Sequence, residues 1–305
     1  GLNRIIFNPF MYFKIKKAIK KFDPDIINLF NTNNYTPTLF KAISGYKVLQ
    51  SILDYRLICP VFTCDKDERL HICDGIICKN KYLIKNPLKQ FIVFYQHKLF
   101  RKLTIKSISY YYTPSPHLKH CLELNDFHPI EQIPLFLTFK KGVLNFDNVN
   151  FNSILYVGQI EVNKGIWDLV YSIKDVTKFL PKICLKIAGN GSQFYQIEKF
   201  IIKNKLEKNI KLLGPIRNLK PLYEECCLLI VPSTIQESFG FVTAEAMFNS
   251  RAVLGSNRGA TTWLVKDNIT GEIFDPEKNE LSEKIISLLN NKKKLMRYGL
   301  EAKKI

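Results

Sequence analysis

The chain has 305 residues and a mass of 35.5 kDa, which is longer than one ordinary hydrophobic core supports and predicts two domains. Hydrophobic residues at 46% and charged residues at 24% exclude wholesale disorder. No apolar run approaches the roughly 18 residues of a membrane span. A formal net charge of +18 predicts attraction to polyanions such as nucleic acid, anionic lipid or phosphorylated substrates. Because no basic-then-apolar leader follows Gly1, we expect a cytoplasmic protein with reduced thiols.

The first half, residues 1–145, predicts an irregular α/β domain. Its predicted elements, in chain order, are a helix over 11–22, a strand over 25–29, a helix after Pro37, a strand over 47–53, a helix over 89–103, a strand over 107–112 and a helix over 116–124. We find no strand, glycine turn and helix of the kind that usually open such a domain, so we expect a fragment that lacks its true start. The polar, Asn-rich residues 140–152 predict the linker.

The second half, residues 151–305, alternates strand and helix patterns, which predicts a doubly wound parallel sheet. Strands are predicted over 153–157, 183–188, 210–213, 228–231 and 252–254. Helices are predicted over 165–178, 193–204, 219–226, 241–248 and 280–289, with a basic helical end from residue 292. In such sheets ligands bind at the carboxyl ends of the strands.

The strongest chemical motif is the segment from Glu237 to Glu245, which follows a strand and opens a helix. Gly240 allows the backbone to approach a ligand, and free amides at a helix start favour a phosphate. The two carboxylates can accept hydrogen bonds from sugar hydroxyls. A weaker motif joins the strand end Gly158-Gln159 to Lys164, whose ammonium can meet a diphosphate as a point charge.

Further glycine turns end the next strands, at Gly189-Asn-Gly191 and at Gly214-Pro-Ile216. Taken in this order, the motifs from Ile154 to Glu245 resemble glycosyltransferase family 4, a family of retaining enzymes with the GT-B fold. In the first half, the stretch from Asp54 to Pro60 is similar to the family's acceptor-side domain, as is Thr113-Pro-Ser115.

The resemblance implies two Rossmann-like domains and transfer of a sugar, with retention, from a UDP- or GDP-sugar to a glycan or lipid-linked acceptor. It implies no cofactor and no required metal. Glu237 and Lys164 would be catalytic, and Asp54 and Arg56 would lie on the acceptor side. The donor would be bound by Gly158, Gln159, Lys164, Gly189, Gly191, Ile216, Ser238, Phe239, Gly240, Phe241 and Glu245.

Some positions depart from the family pattern. Leu53 replaces a histidine, Gln159 an arginine and Trp263 an acidic residue. One alternative is therefore a catalytically impaired member. A second is a non-enzymatic protein that binds nucleic acid through its charge, although no nucleic-acid-binding module is visible and nucleic acid is not the expected partner. A third is a sugar-nucleotide epimerase, which would need no acceptor.

Four of the eight cysteines fall close together, at Cys59, Cys64, Cys73 and Cys78. Four residues lie between the cysteines of each pair and eight lie between the two pairs, whereas typical zinc sites have two to four within each pair. We favour unpaired structural thiols and keep a structural zinc as the alternative.

The predicted helix over 11–22 has Met11, Ile15, Ala18 and Phe22 on one stripe and five lysines around the rest. An ordinary helix docked on the sheet is one interpretation. The other is peripheral contact with an anionic inner membrane surface. Phe91–Phe94 with Lys98, Arg101 and Lys102 forms a fainter candidate of the same kind.

Overall fold

The computed structural model describes residues 7–30, 37–58, 87–135 and 146–304. The chain forms two compact units, unit 1 over residues 1–135 and unit 2 over residues 136–305. None of the helices in these ranges is long and apolar enough to cross a membrane.

In its described residues, unit 1 has one four-stranded parallel sheet with the order β1-β2-β3-β4. Its elements are α1 (Pro9–Phe22), β1 (Ile26–Phe30), α2 (Pro37–Ala42), β2 (Lys47–Ser51), a short 3₁₀ helix (Tyr55–Leu57), α3 (Pro87–Ser107), β3 (Tyr110–Thr113), α4 (Pro116–Glu123) and β4 (Ile130–Gln132). The core lies on one face of the sheet, where buried Val48 and Tyr111 pack with Phe40 of α2 and Leu118 of α4.

Helix α1 packs differently from the sequence expectation. Asn8 caps it, and the Asn8 amide donates a hydrogen bond to Thr38 Oγ1 of α2 at 2.8 Å. Its half-buried positions are Tyr12, Ile15, Lys16 and Ile19, and none of its residues is fully buried. The predicted stripe was therefore wrong for three of its four residues, because α2 covers the neighbouring face of the helix.

Unit 2 alternates strands and helices along the chain. Its elements are β5 (Asn150–Val157), a 3₁₀ turn (Val162–Lys164), α5 (Ile166–Val176), β6 (Cys184–Ala188), α6 (Phe194–Lys203), β7 (Ile210–Gly214), α7 (Lys220–Glu225), β8 (Cys226–Val231), α8 (Phe241–Phe248), β9 (Ala252–Ser256), α9 (Thr261–Leu264), β10 (Gly271–Phe274), α10 (Leu281–Leu289) and α11 (Lys292–Ala302). The predicted strands and helices of this half are confirmed within a few residues at each end.

The six strands of unit 2 are all parallel, in the order β10-β9-β8-β5-β6-β7. Successive residues of β5 enter opposite hydrophobic cores: Ile154 packs with α5 and α10, and Leu155 with α7 and α8. All six residues of β8 are buried. A parallel sheet covered by helices on both faces buries continuous apolar strands of this kind.

Candidate functional site

The sheet of unit 2 has a topological switch point between β5 and β8. The chain runs outward from β5 through β6 to β7, then returns to β8 on the other side of β5 and continues through β9 to β10. The loops after β5 and β8 therefore leave the same sheet edge in opposite directions. A crevice at the carboxyl ends of the strands forms where this happens.

Lys164 and Glu237 meet at this switch point. Lys164 ends the 3₁₀ turn after β5, and Glu237 lies in the loop after β8. Lys164 Nζ donates to Glu237 Oε1 at 2.8 Å, and the Ser233 hydroxyl donates to the same oxygen. The Lys164 side chain is 23% exposed and that of Glu237 is 19% exposed. Both predicted catalytic residues thus lie in one half-buried cluster.

Backbone contacts hold these two loops together. The amide and the hydroxyl of Thr234 both donate to the Asn163 carbonyl oxygen, at 3.1 Å each. Gly165 has φ +66°, and a Cβ on it would lie 1.8 Å from the Pro232 carbonyl oxygen. A side chain at Gly165 is therefore excluded both by its left-handed conformation and by the close approach of the second loop.

The predicted glycine turns form the adjacent wall. Gly158 donates from its amide to Ala188 O at 3.0 Å, and Gly189 to Gly214 O at 2.8 Å, so the ends of β5, β6 and β7 stay in register. A cavity of 370 Å³ opens above these strand ends. Its lining includes the predicted donor-binding residues Gly158, Gln159, Gly189 and Ile216.

Gly191 lies beside this cavity and has a spacing role. A Cβ on it would come within 2.3 Å of the Ile160 carbonyl oxygen. Gln159 is exposed, and its carbonyl accepts a hydrogen bond of 2.6 Å from the buried Tyr156 hydroxyl. Burial raises the pKa of Tyr156, as does the nearby carboxylate of Glu237, so its hydroxyl remains a donor.

Glu161 was not among the predicted residues. Its carboxylate accepts from the Ser192 amide at 2.7 Å and from the Ser192 hydroxyl at 2.6 Å. These hydrogen bonds lower the pKa of Glu161. The carboxylate ties the loop after β5 to the turn after β6, so it shapes the site without entering the cavity lining.

The segment from Ser238 to Phe241 leads into α8. Phe239 is buried, and its ring lies 5.0 Å from that of Phe241 and 6.3 Å from that of Trp263. Gly240 has φ +82° and precedes the first helical residue. The first-turn amides of α8 have no partner within the helix, so they are suited to an anionic group.

Glu245 lies one turn further into α8 and bonds to a different partner. The buried Tyr223 donates from its hydroxyl to Glu245 Oε2 at 2.7 Å. Burial raises the pKa of Glu245, and the Tyr223 hydrogen bond partly opposes that shift. The structure thus pairs Glu237 with Lys164 and Glu245 with Tyr223.

Asp54 and Arg56 lie in unit 1, after β2, and bond to each other. The Arg56 amide donates to Asp54 Oδ1 at 3.0 Å, and Arg56 Nε donates to Oδ2 at 2.7 Å. His97 Nε2 lies 2.9 Å from the Arg56 carbonyl oxygen, and burial lowers the pKa of His97.

The four clustered cysteines, Cys59, Cys64, Cys73 and Cys78, lie outside the described residues. Within the residues that are described, no group of three or more His, Cys, Asp and Glu side chains could hold a metal ion. The zinc alternative stays a sequence-based prediction.

The family model of "Glycosyl transferases group 1" matches residues 145–305. An uncharacterized glycosyltransferase of Methanocaldococcus jannaschii is 32% identical over 149 residues, which cover 48% of this chain and 40% of that protein. The lipopolysaccharide 1,2-N-acetylglucosaminetransferase of Salmonella typhimurium is 28% identical over 166 residues, 46% of this chain and 44% of that protein. The chain therefore matches less than half the length of these relatives.

Among solved structures, the pneumococcal O-GlcNAc transferase GtfA in complex with UDP and GlcNAc has a TM-score of 0.72 and 16% identity. The alignment covers 95% of this chain and 55% of that one. At this identity the likeness establishes the fold alone. That fold is GT-B, with Rossmann-like α/β domains, as predicted from the sequence.

Proposed function

Since the chain belongs to the glycosyl transferases of group 1, we propose that it transfers a sugar from a nucleotide donor to an acceptor in the assembly of a surface glycan. The finer assignment is to the retaining enzymes of family 4, with a UDP- or GDP-sugar as donor and a glycan or lipid-linked acceptor. With a lipid-linked acceptor, the protein would work in the cytoplasm against the inner membrane surface. The curated relatives include an enzyme named for lipopolysaccharide synthesis, which supports this class of acceptor.

The observation that carries the proposal is the meeting of Lys164 and Glu237 at the switch point, beside a cavity of 370 Å³. The nucleoside would occupy the cavity over Gly158 and Gly189. The diphosphate would then lie toward Lys164 and the first-turn amides of α8. Glu237 would accept hydrogen bonds from the transferred sugar, and Glu245 from the ribose.

In the proposed reaction, the bond between the anomeric carbon and the diphosphate oxygen breaks, and a bond from that carbon to an acceptor hydroxyl oxygen forms on the same face. The acceptor proton passes to the departing diphosphate. Negative charge grows on the leaving oxygen, where Lys164 and the α8 amides are already in place. Preorganised donors of this kind contribute about 3–4 kcal/mol each to transition-state stabilisation.

A matched pair of variants tests the assignment. Lys164→Ala and Glu237→Ala should each lower release of nucleoside diphosphate from a UDP- or GDP-sugar in the presence of acceptor by about a hundredfold or more. Lys186 of β6 and Glu225 of α7 form a second partly exposed ion pair in unit 2, at 2.5 Å, and neither residue lines the cavity. Lys186→Ala and Glu225→Ala should leave turnover unchanged. Unchanged turnover in the Lys164 and Glu237 variants would reject the proposal.

An impaired member is the second candidate, favoured by Gln159 and Trp263 at positions where the family has an arginine and an acid. In the structure, Gln159 is exposed, and Trp263 makes a hydrophobic contact with Phe239. Such a protein would bind UDP or GDP, raising its melting temperature, without turning over any nucleotide sugar. Product formed without an acceptor would instead indicate an epimerase.

A further inference from the structure

Helix α1 presents an unusual surface to solvent. With 100° between successive residues, its half-buried positions Tyr12, Ile15, Lys16 and Ile19 fall within an arc of about 100°. The opposite arc, about 120° wide, carries six exposed residues that we call the basic-aromatic face. They are Phe10, Phe13, Lys14, Lys17, Lys20 and Lys21.

The aromatic members of this face are largely uncovered. Phe10 is 67% exposed and Phe13 is 69% exposed, and neither belongs to the hydrophobic core of unit 1. Lys14 Nζ lies 4.4 Å above the centre of the Phe10 ring, so charge and ring form one surface. Two neighbouring solvent-exposed phenylalanines at the amino-terminal end of one helix form an apolar patch, which indicates an interaction surface.

The charge on this face is of one sign. Helix α1 contains no acidic residue, and the nearest acids in the sequence, Asp23 and Asp25, follow the end of the helix. In the described part of the chain, Lys14, Lys17 and Lys20 make no ion pair with an acidic side chain. Their charge is therefore available to a negatively charged partner.

An apolar groove adjoins the basic-aromatic face along one side. Its volume is 650 Å³, and Lys21 belongs to both surfaces. Across the groove Phe22 is 83% exposed, and Ile26 of the edge strand β1 is 52% exposed. Apolar area therefore continues beyond the helix itself.

Helix α3, the other basic-aromatic candidate from the sequence, also exposes an aromatic ring, Phe91 at 66%, but it differs in how its charge is used. Arg101 donates from Nη2 to the Asn125 carbonyl oxygen at 2.5 Å and pairs with Asp126 at 3.3 Å. Its guanidinium also lies over the ring of Phe127. Its charge is used inside unit 1, so α3 offers less to an external partner.

We propose that the basic-aromatic face of α1 docks on an anionic lipid bilayer. The helix would lie in the plane of the interface, with Phe10 and Phe13 between the headgroups and the four lysines on lipid phosphates. Interfacial helices have this division, in which rings supply apolar contact and lysines supply attraction to anionic lipid. Each basic residue near such a surface strengthens binding about fivefold.

Vesicle co-sedimentation of the full chain tests the proposal. We expect binding to vesicles of phosphatidylcholine mixed with phosphatidylglycerol, little binding to phosphatidylcholine alone, and a loss of binding between about 0.1 M and 1 M salt. The double substitution of Lys14→Gln and Lys17→Gln should weaken vesicle binding about 25-fold. The double substitution of Phe10→Ser and Phe13→Ser should also weaken vesicle binding. It should not lower the melting temperature, because both rings are exposed.

The matched control is the double substitution of Lys199→Gln and Lys203→Gln. Both lysines are exposed and lie on α6 of unit 2. This pair changes the net charge equally and should leave vesicle binding unchanged. Equal losses in the two lysine pairs would show a non-specific charge effect and overturn the proposal. So would preferential binding of DNA at the same salt, or burial of Phe10 and Phe13 in a self-associated form.

The docking proposal and the proposed sugar transfer can be refuted separately. Hydrolysis or transfer with soluble substrates should be the same for all four α1 substitutions and the wild type, since α1 lies outside the unit 2 site. Vesicle binding should in turn be unaffected by Lys164→Ala.

Discussion

The ion pair between Lys164 and Glu237 gives the most direct test of the site. Their exposed fractions of 23% and 19% place the pair between the two measured regimes. Exposed pairs contribute about 0.2–1 kcal/mol, whereas breaking a fully buried pair costs about 3–5 kcal/mol. We therefore expect a coupling energy of about 1–2 kcal/mol in the free energy of unfolding.

A double-mutant cycle measures this coupling. Glu237→Gln removes the charge but keeps an acceptor for the Ser233 hydroxyl, and Lys164→Met keeps the aliphatic stem. Urea unfolding can be followed by tryptophan fluorescence, because Trp167 and Trp263, the two tryptophans of the chain, both lie in unit 2. The coupling should shrink between about 0.1 M and 1 M salt. A coupling below about 0.3 kcal/mol at low salt would refute the reasoning, since that is the scale of ordinary non-additivity.

The same variants should change UDP binding in opposite directions. Glu237 competes with a diphosphate for the Lys164 ammonium, so Glu237→Gln should tighten binding of UDP by up to about tenfold. Lys164→Met should weaken it. Calorimetric titration with UDP measures both effects. Parallel losses in the two variants would show that the pair acts only as a structural unit.

Three further predictions concern neighbouring residues. Gly165→Ala and Gly214→Ala both place alanine at similar positive φ, +66° and +69°, at a cost of about 1–2 kcal/mol each, but only the first puts a Cβ against Pro232. The urea midpoint should therefore fall further for Gly165→Ala, and equal falls would contradict the close approach. Tyr223→Phe removes the hydrogen bond to Glu245 and should cost about 1 kcal/mol of stability while weakening UDP binding; unchanged UDP affinity would separate Glu245 from the ribose subsite. Burial raises the pKa of Glu245, so the native state holds this proton more tightly than the unfolded state, and its contribution to stability is lost as pH rises through the raised pKa. Unfolding curves between about pH 4 and 7 should show this slope in the wild type and less of it in Glu245→Gln.

The fold of unit 2 and the place of its candidate site could be predicted from the sequence because the signals are local. The central strand β8 is a continuous apolar run, and glycine turns at Gly158 and Gly189 mark the ends of β5 and β6. Since all parallel strands end at one edge, Lys164 and Glu237 could be expected near each other although 73 residues separate them.

The partners of these residues could not be predicted in the same way. Tyr223 follows Leu222 in α7 and is a buried core residue, but its hydroxyl also holds Glu245, which nothing in its sequence neighbourhood indicates. Ser233 likewise contacts Glu237 within one loop, and Glu161 contacts Ser192 between two turns. Such contacts depend on loop geometry, and polar residues after strands are too common to single them out.

The orientation of α1 could not be predicted from the sequence either. Its apolar residues occur on several faces, so spacing alone favoured a stripe through Met11 and Phe22. Contact with α2 selected Tyr12 and Ile19 instead. Where a short helix is apolar on more than one side, the neighbouring element decides which side is covered.

The glycine turns above β5 and β6 approach so closely that a side chain on the second turn has no room. A Cβ on Gly189 would lie 1.8 Å from the Gly158 carbonyl oxygen, and one on Gly191 would lie 2.3 Å from that of Ile160. Under the proposed function, a nucleotide would meet a closely packed backbone surface, so little conformational freedom should be lost there on binding. Under the proposed function, changes of donor preference are therefore expected at positions such as Gln159 and Ile216, whose exposed side chains can be exchanged without disturbing the glycine turns.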